Sequence, residues 1–253
     1  MSKQKCRGRL LALLLALLTA AGLFTGCGQN SSDTVKWINA TYALLTTANG
    51  GDVDQIGGYK KNEANTAAIQ EALAGSWGVA DRDSADETLN WLLTEGHRAS
   101  FAAEMVTLQS SGVFSLSDQD AILSLEEMGL NQELAACYLS MMNAYRTHGL
   151  EAIDAWDYCR ALQLLGWYYL AGYYTEEETL DRSLEIAQQL QLRFSSWDKL
   201  VESYLWGYNY WAEDDPNDPE SDTAARKKIY EQLKSAQDSP YSLSWNTALT
   251  KDW

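Results

Sequence analysis

Between Ala155 and Ala171 the sequence is apolar almost all the way round a helical wheel, with Asp157, Arg160 and Gln163 as its exceptions. A helix with no wet face has to be covered on every side. A chain that contains one must therefore wrap other elements around it. The flanking sequence supplies them: capping residues stand before apolar runs of three- and four-residue spacing, and glycines stand after them. Strand signals are weak by comparison.

This punctuation predicts helices over 37–47, from Glu63 to a stop at Gly75, from a capping box at Ser84 and Glu87 to Gly96, and from His97 to Gln109. Ser117 caps a helix that Gly129 ends, Asn131 caps one that ends near Gly149, and 151–171 is the long central helix. Thr175 with Glu178 has a second capping-box spacing, followed by the stripe Leu180, Leu184, Ala187, Leu190 and Phe194. From Ser196 to Trp211 the aromatic residues alternate as in a strand. A helix is the better fit, because Trp197, Leu200, Val201, Tyr204, Tyr208 and Trp211 share one face over a span longer than most strands. An acidic loop with two prolines, 214–222, precedes a last helix near 223–235. The expected fold is all-α, a single globular array of about nine helices around a buried central helix.

The first residues carry a different signal. Lys3, Lys5, Arg7 and Arg9 precede an apolar run from Leu10 to Phe24, which ends in Thr25-Gly26-Cys27. This is the form of a secretory signal, and the run is shorter than the roughly 20 residues that span a bilayer. Small residues directly before a cysteine resemble the bacterial lipobox, with Phe24 where leucine is usual. Processing there makes 1–26 a lipoprotein signal peptide, Cys27 an acylated N-terminus on a tether over 27–34, and 35–253 the helical domain. The expected location is the extracytoplasmic face of the cell membrane, with the membrane itself a partner through the lipid.

The formal charge is −16, and loss of the four leader cations takes it to −20. Nucleic acid is excluded as a partner on this ground, since binding it depends on cations that neutralise phosphates. Fourteen Tyr and ten Trp against four Phe make an amphipathic aromatic set, suited to a core with polar seams or to a wet binding surface. Cys137 and Cys159 are the thiols left in the domain, and either a disulfide or two buried free cysteines fits their spacing about His148-Gly149.

The segments Trp37-Ile38-Asn39-Ala40, Gly96-His97-Arg98, Trp156-Asp157-Tyr158-Cys159-Arg160, Ser196-Trp197 and Ser203-Tyr204-Leu205-Trp206-Gly207 resemble, in order and spacing, the bacterial family known as domain of unknown function 1266. The resemblance covers most of the mature chain. It implies membership and brings no activity, cofactor or catalytic residue with it.

The familiar catalytic motifs are absent: no nucleophile elbow, no phosphate-binding loop, no His-Glu-x-x-His and no Cys-x-x-Cys. No cofactor or metal is expected. Asp52-Val53-Asp54-Gln55-Ile56-Gly57 with Glu63 matches part of a calcium loop, but Ile56 occupies a ligand position and Lys60 and Lys61 add positive charge, so the expectation is an ordinary glycine turn. Three candidate sites remain. His97, at a helix start, is either a general base or a structural imidazole. Asp157 and Arg160, three residues apart on the central helix, are expected to leave water together, as an ion pair or through separate hydrogen bonds to neighbouring helices. Trp206 and Tyr210 lie off the apolar face of their helix and form either a ligand platform or core.

Two functions are compatible with this. One is a non-catalytic lipoprotein that binds an envelope protein or glycan through an aromatic-rich face. The other is an envelope-glycan hydrolase with two carboxylates roughly 5–10 Å apart in an aromatic cleft.

Overall fold

The structure, a computed structural model, describes residues 32–253; the leader and Cys27 lie outside the described residues. It is all-helical. The α-helices are α1 (Asp33–Thr41), α2 (Ala43–Ala48), α3 (Glu63–Trp77), α4 (Arg82–Thr94), α5 (Gly96–Ser110), α6 (Asp118–Glu127), α7 (Gln132–His148), α8 (Asp154–Ala171), α9 (Glu176–Arg193), α10 (Trp197–Ala212) and α11 (Asp222–Ser235). The first predicted helix breaks at Tyr42 into α1 and α2, and each later predicted segment forms one α-helix.

Helix α8 is the axis of the fold. Only Arg160 and Tyr169 along it are not buried, and α1, α3, α4, α5, α9 and α10 all pack on it. A larger apolar cluster surrounds α8, and a smaller one holds Phe101, Met105, Leu125, Met141 and Met142 between α5, α6 and α7. Helix α10 touches both α8 and α7. The C-terminal segment straps the larger cluster closed, with Trp245 and Leu249 buried in it.

The caps explain where the helices begin and end, and several differ from the sequence reading. Ser32 caps α1 through the Val35 amide, and Thr34 and Val35 are already buried, so the fold starts before residue 35. Helix α3 runs through Gly75 to Gly78, which takes the left-handed φ of 68° that a helix stop requires and donates to Leu73. Asp81, not Ser84, caps α4, with Ser84 completing the capping box from the third helical position. Thr175 caps α9 alone, because the Glu178 carboxylate turns to Arg82 and Arg182. Cys137 and Cys159 are both buried and free.

The loop that resembled a calcium site presses against α8 instead. Trp167 donates its indole N–H to the Gly57 carbonyl at 3.0 Å, and Tyr42 faces the Gly57 amide at 3.3 Å. A Cβ on Gly166 would lie 2.6 Å from the Gly57 backbone. Gly166→Ala should therefore cost about 1–3 kcal/mol through overpacking, although alanine is the better helix former. Urea denaturation checks this, and an unchanged or raised midpoint would contradict the close approach.

Candidate functional site

Helix α5 starts without a local cap, since Glu95 makes no side-chain bond to it. The orphan amides of its first turn would be costly if left unpaired beneath neighbouring helices. They are satisfied from a distance. Asp157, fully buried on α8, accepts from the His97 amide through Oδ1 at 3.1 Å and from the Arg98 amide through Oδ2 at 3.1 Å. The carboxylate also sits where the helix dipole favours negative charge. Gly96 is required for this approach: its φ is +60°, and a Cβ there would run into the Asp157 carboxylate.

The same carboxylate orients two side chains. His97 Nδ1 lies 2.7 Å from Asp157 Oδ1, and Arg98 Nη1 lies 3.4 Å from Oδ2. Arg98 is fixed in turn by the Leu92 and Leu93 carbonyls at the end of α4. With Nδ1 carrying the proton that Asp157 accepts, His97 Nε2 is an acceptor, and Arg160 Nη1 stands 3.5 Å from it. Asp157 and Arg160 thus make separate contacts rather than a direct ion pair. The Arg160 guanidinium lies instead over two indoles, 4.2 Å from the Trp77 ring and 4.4 Å from Trp156, with Trp211 at 5.9 Å. Burial pulls the Arg160 pKa down to about 10.

The later sequence elements converge on the same turn of α8. Ser203 accepts from the Ala155 amide at 3.2 Å, Tyr204 packs 5.3 Å from Trp156, and a Cβ on Gly207 would collide with Trp156. Trp91 meets His97 at 5.1 Å. The outer indoles are exposed, Trp91 by 38% and Trp211 by 44%, so Trp211 leaves the apolar face on which its spacing had put it.

Trp206 and Tyr210 part company. Tyr210, half-buried against the smaller cluster as Trp206 also is, packs edge-on to Phe101 at 5.6 Å and bonds to Glu104. Trp206 is half-buried, stands 4.8 Å from His148, and borders a groove of about 950 Å³ between α10 and α11. On its other side it lines a cavity of about 310 Å³ with Glu151, Asp154, Glu202 and Lys199. Burial raises the Asp154 pKa to about 6 against the pull of Arg193, bonded at 2.8 Å, and of Arg98.

Sequence reasoning missed Trp77, Trp91 and Arg98 as members of the site. Only Arg98, next to His97, carried a local signal. Among the described residues no cluster of three His, Cys, Asp or Glu is arranged to hold a metal ion.

Comparison with known proteins matches the chain to a family. The model of a protein family of unknown function (DUF1266) matches residues 72–245, which span α8 and every residue of the Asp157 cluster. The chain belongs to that family. It is also similar to the uncharacterized protein YbeR of Escherichia coli (strain K12), 30% identical over 190 residues, covering 68% of this chain and 75% of that one. No solved structure matches.

Because Asp157 is partnered by Arg98, Arg98→Met should strand a buried carboxylate and cost about 3–5 kcal/mol. Arg160→Met leaves that partnership intact and should cost under about half as much, with methionine retaining contact with the indoles. Chemical denaturation of both variants checks the order, and the reverse order would return Arg160 to the role of counter-ion.

Proposed function

We propose that the chain is a lipid-tethered binding protein of the bacterial cell envelope, which takes its ligand onto the tryptophan wall around Arg160. The observation that carries this reading is the grouping of the indoles. Trp211 is exposed beside a guanidinium that Trp77 and Trp156 flank, Trp91 is exposed against the neighbouring His97, and such exposed aromatic and arginine side chains are typical anchors of recognition. The anchor is the acylated Cys27. Ser32 caps α1, so four residues stand in the sequence between Cys27 and the fold. No helix among the described residues is long and apolar enough to cross a membrane, so a lipid is the attachment that the leader sequence supports.

A second reading, glycan hydrolysis, has one observation in its favour. Asp154, with its pKa raised to about 6, shares a cavity with Trp206, Glu151 and Glu202, as a general acid beside a sugar platform would. Asp154 is however held by Arg193, and its carboxylate is nearly inaccessible. Binding is therefore the better supported of the two.

Co-purification from native membranes tests the proposal. Wild type should carry a fatty-acid label and retain an envelope component; Cys27→Ala should lose the label while remaining folded, and Trp211→Ala with Trp91→Ala should keep the label and lose the component. Equal labelling of wild type and Cys27→Ala would overturn the tether, and retention by the tryptophan variants would overturn the platform.

A further inference from the structure

Beneath the tryptophan wall lies a group of buried donors without acceptors. The Trp156 Nε1, the Tyr204 hydroxyl and the Arg226 Nε are each inaccessible and each lack a hydrogen-bond partner. A buried donor left unpaired costs about 1–3 kcal/mol, so three in one neighbourhood call for a shared acceptor. They are neighbours. Tyr204 packs 5.3 Å and Tyr208 5.7 Å from Trp156, and the Arg226 guanidinium lies 3.9 Å above the Tyr208 ring.

The charges point the same way. Among the described residues, no carboxylate is within ion-pairing distance of either Arg160 or Arg226. Asp222, one turn back on α11, attracts Arg226 without pairing with it, and Asp157 is taken up by His97 and Arg98. Arg226 is close enough to Arg160 to oppose its charge, adding to the effect of burial, and both arginines draw on the Tyr204 hydroxyl. Two guanidinium groups, one stacked on Trp156 and the other on the adjacent Tyr208, form a locally positive centre in a chain of net charge −16.

We propose that Arg160, Arg226, Tyr204 and Trp156 form a binding site for the phosphoryl group of a soluble phosphorylated ligand, with the surrounding indoles contacting the rest of that ligand. A phosphate monoester carries about −1.5 to −2 charges at neutral pH, which matches two arginines, whereas one carboxylate leaves one of them uncompensated. Its oxygens accept several bonds, and arginine is the side chain suited to a phosphoryl group. A lipid headgroup is the less favoured source, since an anionic bilayer repels an acidic chain. The inference rests on the reading of the tryptophan wall as a recognition surface, and it assigns the chemistry recognised there.

The test is titration of the full-length protein in neutral detergent with inorganic phosphate and with glycerol phosphate, against chloride at equal ionic strength. Saturable binding with a rise in Tm is expected for both. Arg226→Met and Tyr204→Phe should each weaken it by about tenfold, the value of one charge-assisted bond. Arg226 lies on an outer helix and Tyr204→Phe removes a single oxygen, so folding is retained in at least one of them. No response beyond chloride, or equal binding by wild type and both donor variants, overturns the site. Acetate binding as tight as phosphate overturns the charge match. Binding to vesicles containing phosphatidic acid, with none to glycerol phosphate, overturns the soluble source. Loss of the envelope component in Trp211→Ala together with absent phosphate binding defeats this inference alone; phosphate binding with no captured component defeats the envelope-binding reading alone.

Discussion

The rest of the structure depends on one carboxylate that caps a helix other than its own. Asp157 leaves water on α8 and is compensated by two amides, an imidazole and a guanidinium at the start of α5. The cost of burying it is recovered only if α5 begins at Gly96 and points its first turn at α8. That requirement joins the larger apolar cluster to the smaller one, because α5 carries Phe101 and Met105 into the latter. It also sets the orientation of His97, and through His97 the edge of the tryptophan wall.

The aromatic composition follows the same logic of polar tips satisfied inside. Trp37, Trp197 and Trp245 pack against one another at 4.8–4.9 Å, and each donates its indole N–H to a carbonyl, of Trp245, Leu243 and Phe194 respectively. Phenylalanine would fill that volume but leave the Leu243 and Phe194 carbonyls without these donors and the Trp245 carbonyl with Gln191 alone. Against this background, the indole of Trp156 and the hydroxyls of Tyr168 and Tyr204 are buried without a partner.

Much of the fold was legible because helix caps are local. Ser117 and Asn131 cap where their sequence context says they should, and the run around α8 announced its burial. Gly75 and Gly78 show the limit: both fit a helix stop, and only the left-handed turn after Trp77 decides between them. The candidate site was half legible. Asp157, Arg160 and His97 were evident as charges on apolar ground or at a helix start. Their partnership was not, since Arg98 and Asp157 are 59 residues apart and three-residue spacing favoured Arg160 as the counter-ion. Arg226 gave no signal at all, because α11 reads as an ordinary charged surface helix.

Amide hydrogen exchange at His97 and Arg98 tests the central claim most directly. First-turn helix amides ordinarily lack intrahelical partners and exchange readily. Capping by Asp157 predicts that both are protected to the level of the α5 interior in the wild-type protein, and that Asp157→Ala exposes these two while the α8 interior stays protected. Fast exchange of His97 and Arg98 in the wild type would contradict the account.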